Sequence, residues 1–512
     1  MDILRARRRL AAALLAILLC RPLALAQAKR DAAPLDIAAV DKIIEESLKA
    51  WDVPGAALAL VRDDRVVYLK GYGVRELGCP RRVTPDTLFG IASLTKAFAT
   101  TAMAMLVDDG KLKWDDPVRD YLPYFGLADP LADRNVTLRD LVCHRTGISR
   151  HDLLWQAAPW SQEDTIRRIA FVKPSTSFRT TYEYNNIMYM AAGLAAASAA
   201  HVPWHDLVKK RIFQPLGMTG AVFTRSEVLK AADHASPHRR SRDGTVQVLP
   251  WYDDDKQIRS SGSIKAGVRD LSRWVRFQLG DGTFAGTRLL SRKQLAETHT
   301  PQMVIRLAGE ALAAHPDATQ LSYALGWLVE DYKGHMLVSH TGGTQGFRSR
   351  IVLVPRARLG IVLLMSSEVG TSAASMHLAA TNRLLDLLLG LPTRDWNAYY
   401  AAIVKKEMDR RTARLTARQA SRRKGTKPSR ELPAYTGFYA EPAYGAALVE
   451  LENGGLVLRW SSFKLRLEHF HLDTFDLKGE RLLTDEQAVF SLGADGNVQM
   501  MQILGVVFRK LR

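Results

Sequence analysis

Cysteine is scarce: the 512 residues hold three, Cys20, Cys79 and Cys143. If the first 28 residues are removed, only Cys79 and Cys143 remain. That excludes a framework of bridges and leaves one disulfide or two free thiols. Long hydrophobic runs are missing too. No internal stretch reaches the roughly 18 to 20 apolar residues that span a bilayer. A Gly-x-Ser-x-Gly elbow is absent, which argues against an α/β-hydrolase. Metal-ligand spacing is confined to His469-Phe470-His471. On a strand these two rings share a face, but no acidic or cysteine third ligand stands near, so they read as surface histidines. No metal and no cofactor are implied. Acidic residues are outnumbered, 53 against 71 Lys and Arg, for a net charge of +18. Half of that excess lies in residues 396–430, where eleven Lys and Arg face only Glu407 and Asp409. A solvated helix face is the simplest reading of this basic connector. Weak contact of residues 405–430 with anionic lipid or cell-wall polymer is the functional alternative. Nucleic acid is excluded as a partner, because no binding motif or aromatic interleaving accompanies the charge.

The N-terminus has a definite layout. Arg5, Arg7, Arg8 and Arg9 precede an apolar stretch from Leu10 to Cys20, followed by small-x-small sites at Ala24-Leu25-Ala26 and Ala26-Gln27-Ala28. That is the pattern of a secretory signal peptide over residues 1–28, with an uncleaved anchor as the alternative. A periplasmic or secreted location follows as an expectation.

Residues 35–395 mix helix and strand signals. Strand patterns at Ala56–Val67, Met336–Ser339, Arg348–Val354 and Gly360–Met365 bracket helical patterns at Leu94–Val107, Ile187–Ala200 and Leu271–Leu279. A further helix follows over Met376–Leu389. Strands at both ends with helices between predict an α+β sandwich whose antiparallel sheet is completed by the two termini. After the connector, residues 431–512 read as short alternating strands divided by turns such as Asn453-Gly454-Gly455. They predict a separate small antiparallel β domain, a barrel, with Val449, Leu451, Leu456, Leu458 and Trp460 on one buried hairpin face.

Chemistry concentrates at Ser93-Leu94-Thr95-Lys96, a Ser-x-x-Lys at a helix start. Spacing of three sets Ser93 and Lys96 one turn apart on one face. A serine hydroxyl needs a base to become a nucleophile, and a lysine serves if its surroundings lower its pKa. Ser421-x-x-Lys424 and Ser461-x-x-Lys464 match the same pattern, so the motif alone decides nothing. Two further motifs single out Ser93: Tyr184-Asn185-Asn186 in a loop before a helix, and His340-Thr341-Gly342 at a strand end. Glycines at 342 and 343 let a substrate lie against that strand. His144 and His151, flanking Thr146-Gly147, read as structural or cleft-edge residues.

In this order the motifs resemble those of the class C β-lactamase family, which includes penicillin-binding peptidases, D-aminopeptidases and esterases. The resembling text is Gly90-Ile-Ala-Ser93-Leu-Thr-Lys96, Tyr184-x-Asn186 and His340-Thr-Gly-Gly343-Thr-x-Gly346-Phe347. Tyr435-Thr-Gly-Phe-Tyr439 with Glu441-Pro-Ala-Tyr-Gly445 is similar to an appended lipocalin-like β domain. The resemblance implies a β-lactamase/transpeptidase-like sandwich and a serine hydrolase that forms an acyl-enzyme. It implies that Ser93 attacks, Lys96 and Tyr184 share the base work, and Asn186 orients Lys96 and the substrate. The N–H groups of Ser93 and Gly343 would form the oxyanion hole, with Thr341 and His340 lining the cleft. The substrate would be a small molecule or peptide: an ester, a D-amino-acid peptide of peptidoglycan type, or a β-lactam. A catalytically silent cell-wall or peptide binder of the same fold is the alternative, and nothing in the sequence speaks to oligomeric state. His340 stands where many β-lactamases carry lysine, so a fixed cation for a substrate carboxylate is missing. This favours ester or peptide substrates, with Arg348 or Arg350 the next candidates for a carboxylate.

Overall fold

The computed structural model describes residues 35–241, 244–252, 259–371 and 373–511. The signal-like segment 1–28 lies outside these residues. The larger sheet has eight antiparallel strands in the order Arg65–Gly73, Gly55–Arg62, Leu359–Met365, Phe347–Val354, His335–Thr344, Leu328–Tyr332, Leu321–Tyr323 and Met303–Val304. Its second and third strands join the two ends of the α+β region, with Ala56 paired to Met365 and Arg62 to Leu359. The Gly55–Arg62 strand is buried along nearly its whole length rather than on alternate residues, because both sheet faces are covered. On one face Ile351, Leu353, Val362 and Leu364 join the core of helices Thr95–Asp108, Asn186–Ala200 and Val268–Leu279. Gly360 has no side chain because a Cβ there would lie 2.2 Å from Val275 of the covering helix. Helix Met376–Leu389 packs against the same two strands, and the Arg350 guanidinium reaches its Thr381 and Asn382 at 2.7 and 2.9 Å.

The connector is a 25-residue helix, Trp396–Ala420, and its charged residues are exposed except Arg418, which is half-buried against Asp485 O of the barrel. Its first turn departs from the sequence reading. Trp396 and Tyr400 are fully buried in the preceding region: Trp396 Nε1 donates to Asp386 at 2.8 Å, and Tyr400 OH to Ala314 O at 2.8 Å. A boundary at residue 395 therefore cuts through packed aromatics, whose spacing of four puts both on the inner face of the helix.

Residues 437–510 close into an eight-stranded antiparallel barrel. Tyr435, Phe475 and Phe490 pack edge to face inside it, and Trp460 meets Phe508 in the same way, so rings fill the interior. Val449, Leu456, Leu458 and Trp460 are buried as the pattern required, but Leu451 is 43% exposed. It shares their face yet sits at the hairpin end, one pair from the turn, beyond the rim of the barrel. Cys79 and Cys143 are both free thiols, and burial pushes that of Cys143 up to about 12.

Candidate active site

Ser93 lies in a 3₁₀ turn, Ala92–Leu94, that feeds directly into helix Thr95–Asp108. Ala92 adopts the left-handed conformation, φ +49°. For a residue with a Cβ this costs about 1–2 kcal/mol. The turn is held from outside: Ser349 Oγ donates to Ile91 O at 2.9 Å, and Ile91 N donates to Ile264 O at 3.1 Å. Gly342 permits this closeness, since a Cβ there would stand 2.1 Å from Ile91 O.

The second motif arrives from across the core. Asn185 caps helix Asn186–Ala200, its Oδ1 accepting from the N–H groups of Ile187 and Met188. Tyr184 stays in the preceding loop, while Asn186 is the first helical residue rather than part of the loop. Tyr184 OH donates to Ser93 Oγ at 2.9 Å, and Lys96 Nζ lies 3.1 Å from the same oxygen. Lys96 Nζ also reaches Asn186 Oδ1 and Ser261 O, both at 2.8 Å.

Those three partners suit both protonation states of Lys96. As an ammonium it donates once to each; as an amine it donates to Asn186 and Ser261 and turns its lone pair to Ser93. Lys96 is wholly buried, and burial holds it well below the ordinary lysine pKa; the Arg150 charge lowers it further and Asp152 opposes. Burial pushes Tyr184 the other way, up to about 12, opposed by its Ser93 hydrogen bond and Arg150. The lysine is thus displaced toward working pH, and the tyrosine is kept neutral.

Several residues of the site carry no motif. Asp152 accepts from Asn186 Nδ2 at 3.1 Å and Trp155 Nε1 at 2.9 Å, and pairs with Arg150 at 2.7 Å. The Arg150 guanidinium in turn lies 5.2 Å from the centre of the Tyr184 ring. His144 is packed among Tyr182, Tyr184, Tyr189 and Tyr323, and its Nδ1 accepts from Asn185 N at 3.1 Å. It is a structural residue beneath Tyr184, while His151 lies at the edge. The clue for Ser261 is small-residue packing: a Cβ on Gly193 would sit 2.1 Å from Ser260 Oγ, so helix Asn186–Ala200 lets this segment close in.

The third motif is placed differently from the expectation. His340 lies inside strand His335–Thr344, not at its end, and is 4% exposed. Its Nδ1 is 2.6 Å from Thr341 O, which can only accept, so Nδ1 carries the hydrogen. Nε2 then accepts from Tyr323 OH at 3.0 Å. Burial, with the Lys96 charge, pulls its pKa down to about 3. His340 is a neutral ring behind the site with both nitrogens occupied. Thr341 falls on the opposite strand face, lining a cavity of about 180 Å³ with Ser339, Arg350 and His315. Gly343 is exposed. Arg348 donates to its own strand-turn carbonyls, Thr344 O and Phe347 O, and Arg350 is buried toward Thr381. The competing serines lie elsewhere: Ser421 at an exposed helix end, Ser461 in a turn of the barrel rather than within a strand.

A serine at the mouth of a helix, met by a buried lysine and a neutral tyrosine on an α+β sandwich of this topology, defines a serine hydrolase of the β-lactamase fold. Residues 40–384 match the family described as Beta-lactamase, and the chain belongs to that family. Residues 421–510 match a domain of unknown function, DUF3471. Among curated relatives, the unguisins hydrolase ungD of Aspergillus violaceofuscus is 28% identical over 82% of this chain and 78% of its own. Protein flp of Staphylococcus aureus is 26% identical over 64% of this chain and 62% of its own. The fold is shared with the octameric penicillin-binding protein homologue from Pyrococcus abyssi, at TM-score 0.60 and 21% identity, covering 93% of this chain and all of that one. It is shared as well with the D-amino acid amidase from Ochrobactrum anthropi SV3, at TM-score 0.58 and 22% identity, covering 69% of this chain and 98% of that one.

Proposed function

We propose that the protein is an exported acyl-transfer hydrolase with Ser93 as nucleophile, acting on ester or D-amino-acid amide bonds in preference to carboxylate-bearing β-lactams. The convergence of Lys96 Nζ and Tyr184 OH on Ser93 Oγ, at 3.1 and 2.9 Å, carries this reading. Lys96, as the amine, takes the Ser93 proton while Oγ bonds to the carbonyl carbon. Asn186 and Ser261 O keep the resulting ammonium in place. Negative charge on the carbonyl oxygen falls to the N–H groups of Ser93 and Gly343, a contribution of roughly 3–4 kcal/mol per donor in comparable enzymes. Tyr184 passes a proton to the leaving oxygen or nitrogen and regains one from Lys96. Water, deprotonated by the same pair, then attacks the acyl carbon and frees Ser93. Export rests on the sequence of residues 1–28. The preference against carboxylates rests on His340; the name of the unguisins hydrolase supports hydrolysis, and that of the D-amino acid amidase an amide substrate.

The substrate preference has a pH test. With a pKa of about 3, His340 stays neutral throughout pH 5.5–8.5 and offers no cation that fades as pH rises. Lys96 titration affects every substrate alike, so rates are compared as a ratio. The ratio of acylation rates for a penicillin and a neutral aryl ester of an N-acetyl D-amino acid is expected to be low and flat across that range. A ratio that falls with rising pH through about 6.5, the ordinary histidine value, would show a protonated His340 holding the carboxylate and overturn the preference. Failure of the protein to acylate with any ester, amide or β-lactam would favour the binding-only alternative.

A further inference from the structure

The barrel touches the loop that carries Asp152. Its first hairpin turn, Glu441–Gly445, brings Tyr444 OH within 2.7 Å of His151 Nδ1, and Ala443 O accepts from Arg168 Nη1 at 3.0 Å. Its third turn, between strands Gly455–Trp460 and Phe463–His471, points Ser461 Oγ at Ala157 O, 3.3 Å away, and Ser462 Oγ bonds the same carbonyl. These contacts clasp residues 151–157 at both ends. The clasped segment is conformationally expensive: His151 and Ala157, both with a Cβ, are left-handed at φ +44° and +55°. Such residues cost of order 1–3 kcal/mol each and persist only where neighbours over-determine them. Between them sits Asp152, which holds Asn186 Nδ2, and Asn186 Oδ1 in turn holds Lys96 Nζ.

We infer that the barrel completes the hydrolytic site, with Tyr444 as a positioning residue that acts through the 151–157 loop and Asp152 on the Asn186–Lys96 pair. This rests on the reading above that Lys96 serves Ser93. Tyr444 is nearly buried, its ring 5.9 Å from Trp460, so the ring is anchored in the barrel and only the hydroxyl reaches His151. Arg150, Asp152, Tyr184, Tyr189, His144 and His340 surround Lys96. Of these, Arg150 and Asp152 flank His151 at the start of the clasped loop. Loosening the clasp withdraws Arg150 and Asp152 from Lys96 together, and of these opposing charges that of Arg150, which disfavours the ammonium, is the larger.

The test is Tyr444→Phe in the full chain, with Tyr439→Phe as its control. Tyr439 OH donates to Tyr435 O at 2.7 Å wholly inside the barrel, so its loss weakens the barrel without releasing the loop. Tyr444→Phe is expected to lower kcat about tenfold, the low end for loss of a supporting contact behind a site, with KM within about twofold. The acid limb of its pH–rate profile should move to higher pH, because Lys96, relieved of the Arg150 charge, then holds its proton more tightly. Tyr439→Phe is expected to keep the wild-type kcat and profile. A Tyr444→Phe variant with wild-type kcat and profile overturns the inference. So does an equal loss in both variants with no movement of the acid limb, which would be a generic effect of barrel stability. Wild-type hydrolysis that survives Ser93→Ala would instead sink the reading of the site itself, and that is measured separately.

Discussion

Ser93→Ala is expected to abolish turnover, with a loss of about 10⁴-fold or more, as for removal of the nucleophile in other serine hydrolases. The change deletes one half-buried hydroxyl from a turn whose backbone is fixed by Ile91, Ser349 and Ile264. Stability should therefore stay within about 1 kcal/mol of wild type. Ser421→Ala, in the competing Ser-x-x-Lys at the exposed end of the connector helix, should leave activity unchanged, its Oγ serving only Arg418 O. The check is kcat/KM for all three proteins beside their thermal unfolding curves. Normal turnover by a folded Ser93→Ala protein would overturn the mechanism.

The next largest effect concerns the base pair. Lys96→Met and Tyr184→Phe should each cost about 10²–10⁴ in kcat, the range of a positioned general base. Because both groups meet at one oxygen, 3.1 and 2.9 Å away, removing the second should cost far less than removing the first. Methionine fills the buried volume of Lys96 and removes a charge from a dry site. It also strands Asn186 Oδ1 and Ser261 O, so the two effects oppose and the protein should still fold. A double-mutant cycle measures the coupling. Strict additivity would show that Lys96 and Tyr184 act independently.

What the sequence made legible is what local pattern encodes. Ser93, Lys96, Tyr184 and Asn186 stand in two short motifs, and the structure brings their side chains within hydrogen-bond reach. The sheet was readable because its strands are apolar runs of strand length bounded by turns, and the barrel because its strands alternate. The misses all depend on tertiary contact. Asp152 is one of many acidic residues until the loop folds against Asn186. Tyr189 and Tyr323 carry no motif, and only their packing around His144 makes them walls beneath Tyr184. Trp396 and Tyr400 looked like part of a charged connector because charge dominates that stretch, while two rings at i and i+4 decide where it docks. His340 stands in the motif position where the resemblance leads one to look for lysine. The partner of its Nε2 is Tyr323, 17 residues away on another strand.

The central claim is that hydrolysis passes through an ester on Ser93. The direct measurement is intact mass of the protein quenched in acid during turnover of an aryl ester of a D-amino acid, followed by peptide mapping. The account predicts a transient mass increase equal to the acyl group, located on Ser93. The adduct should accumulate further in Tyr184→Phe if deacylation is slowed more than acylation, and be absent in Ser93→Ala. An adduct on any other residue, or steady turnover by Ser93→Ala, would contradict it.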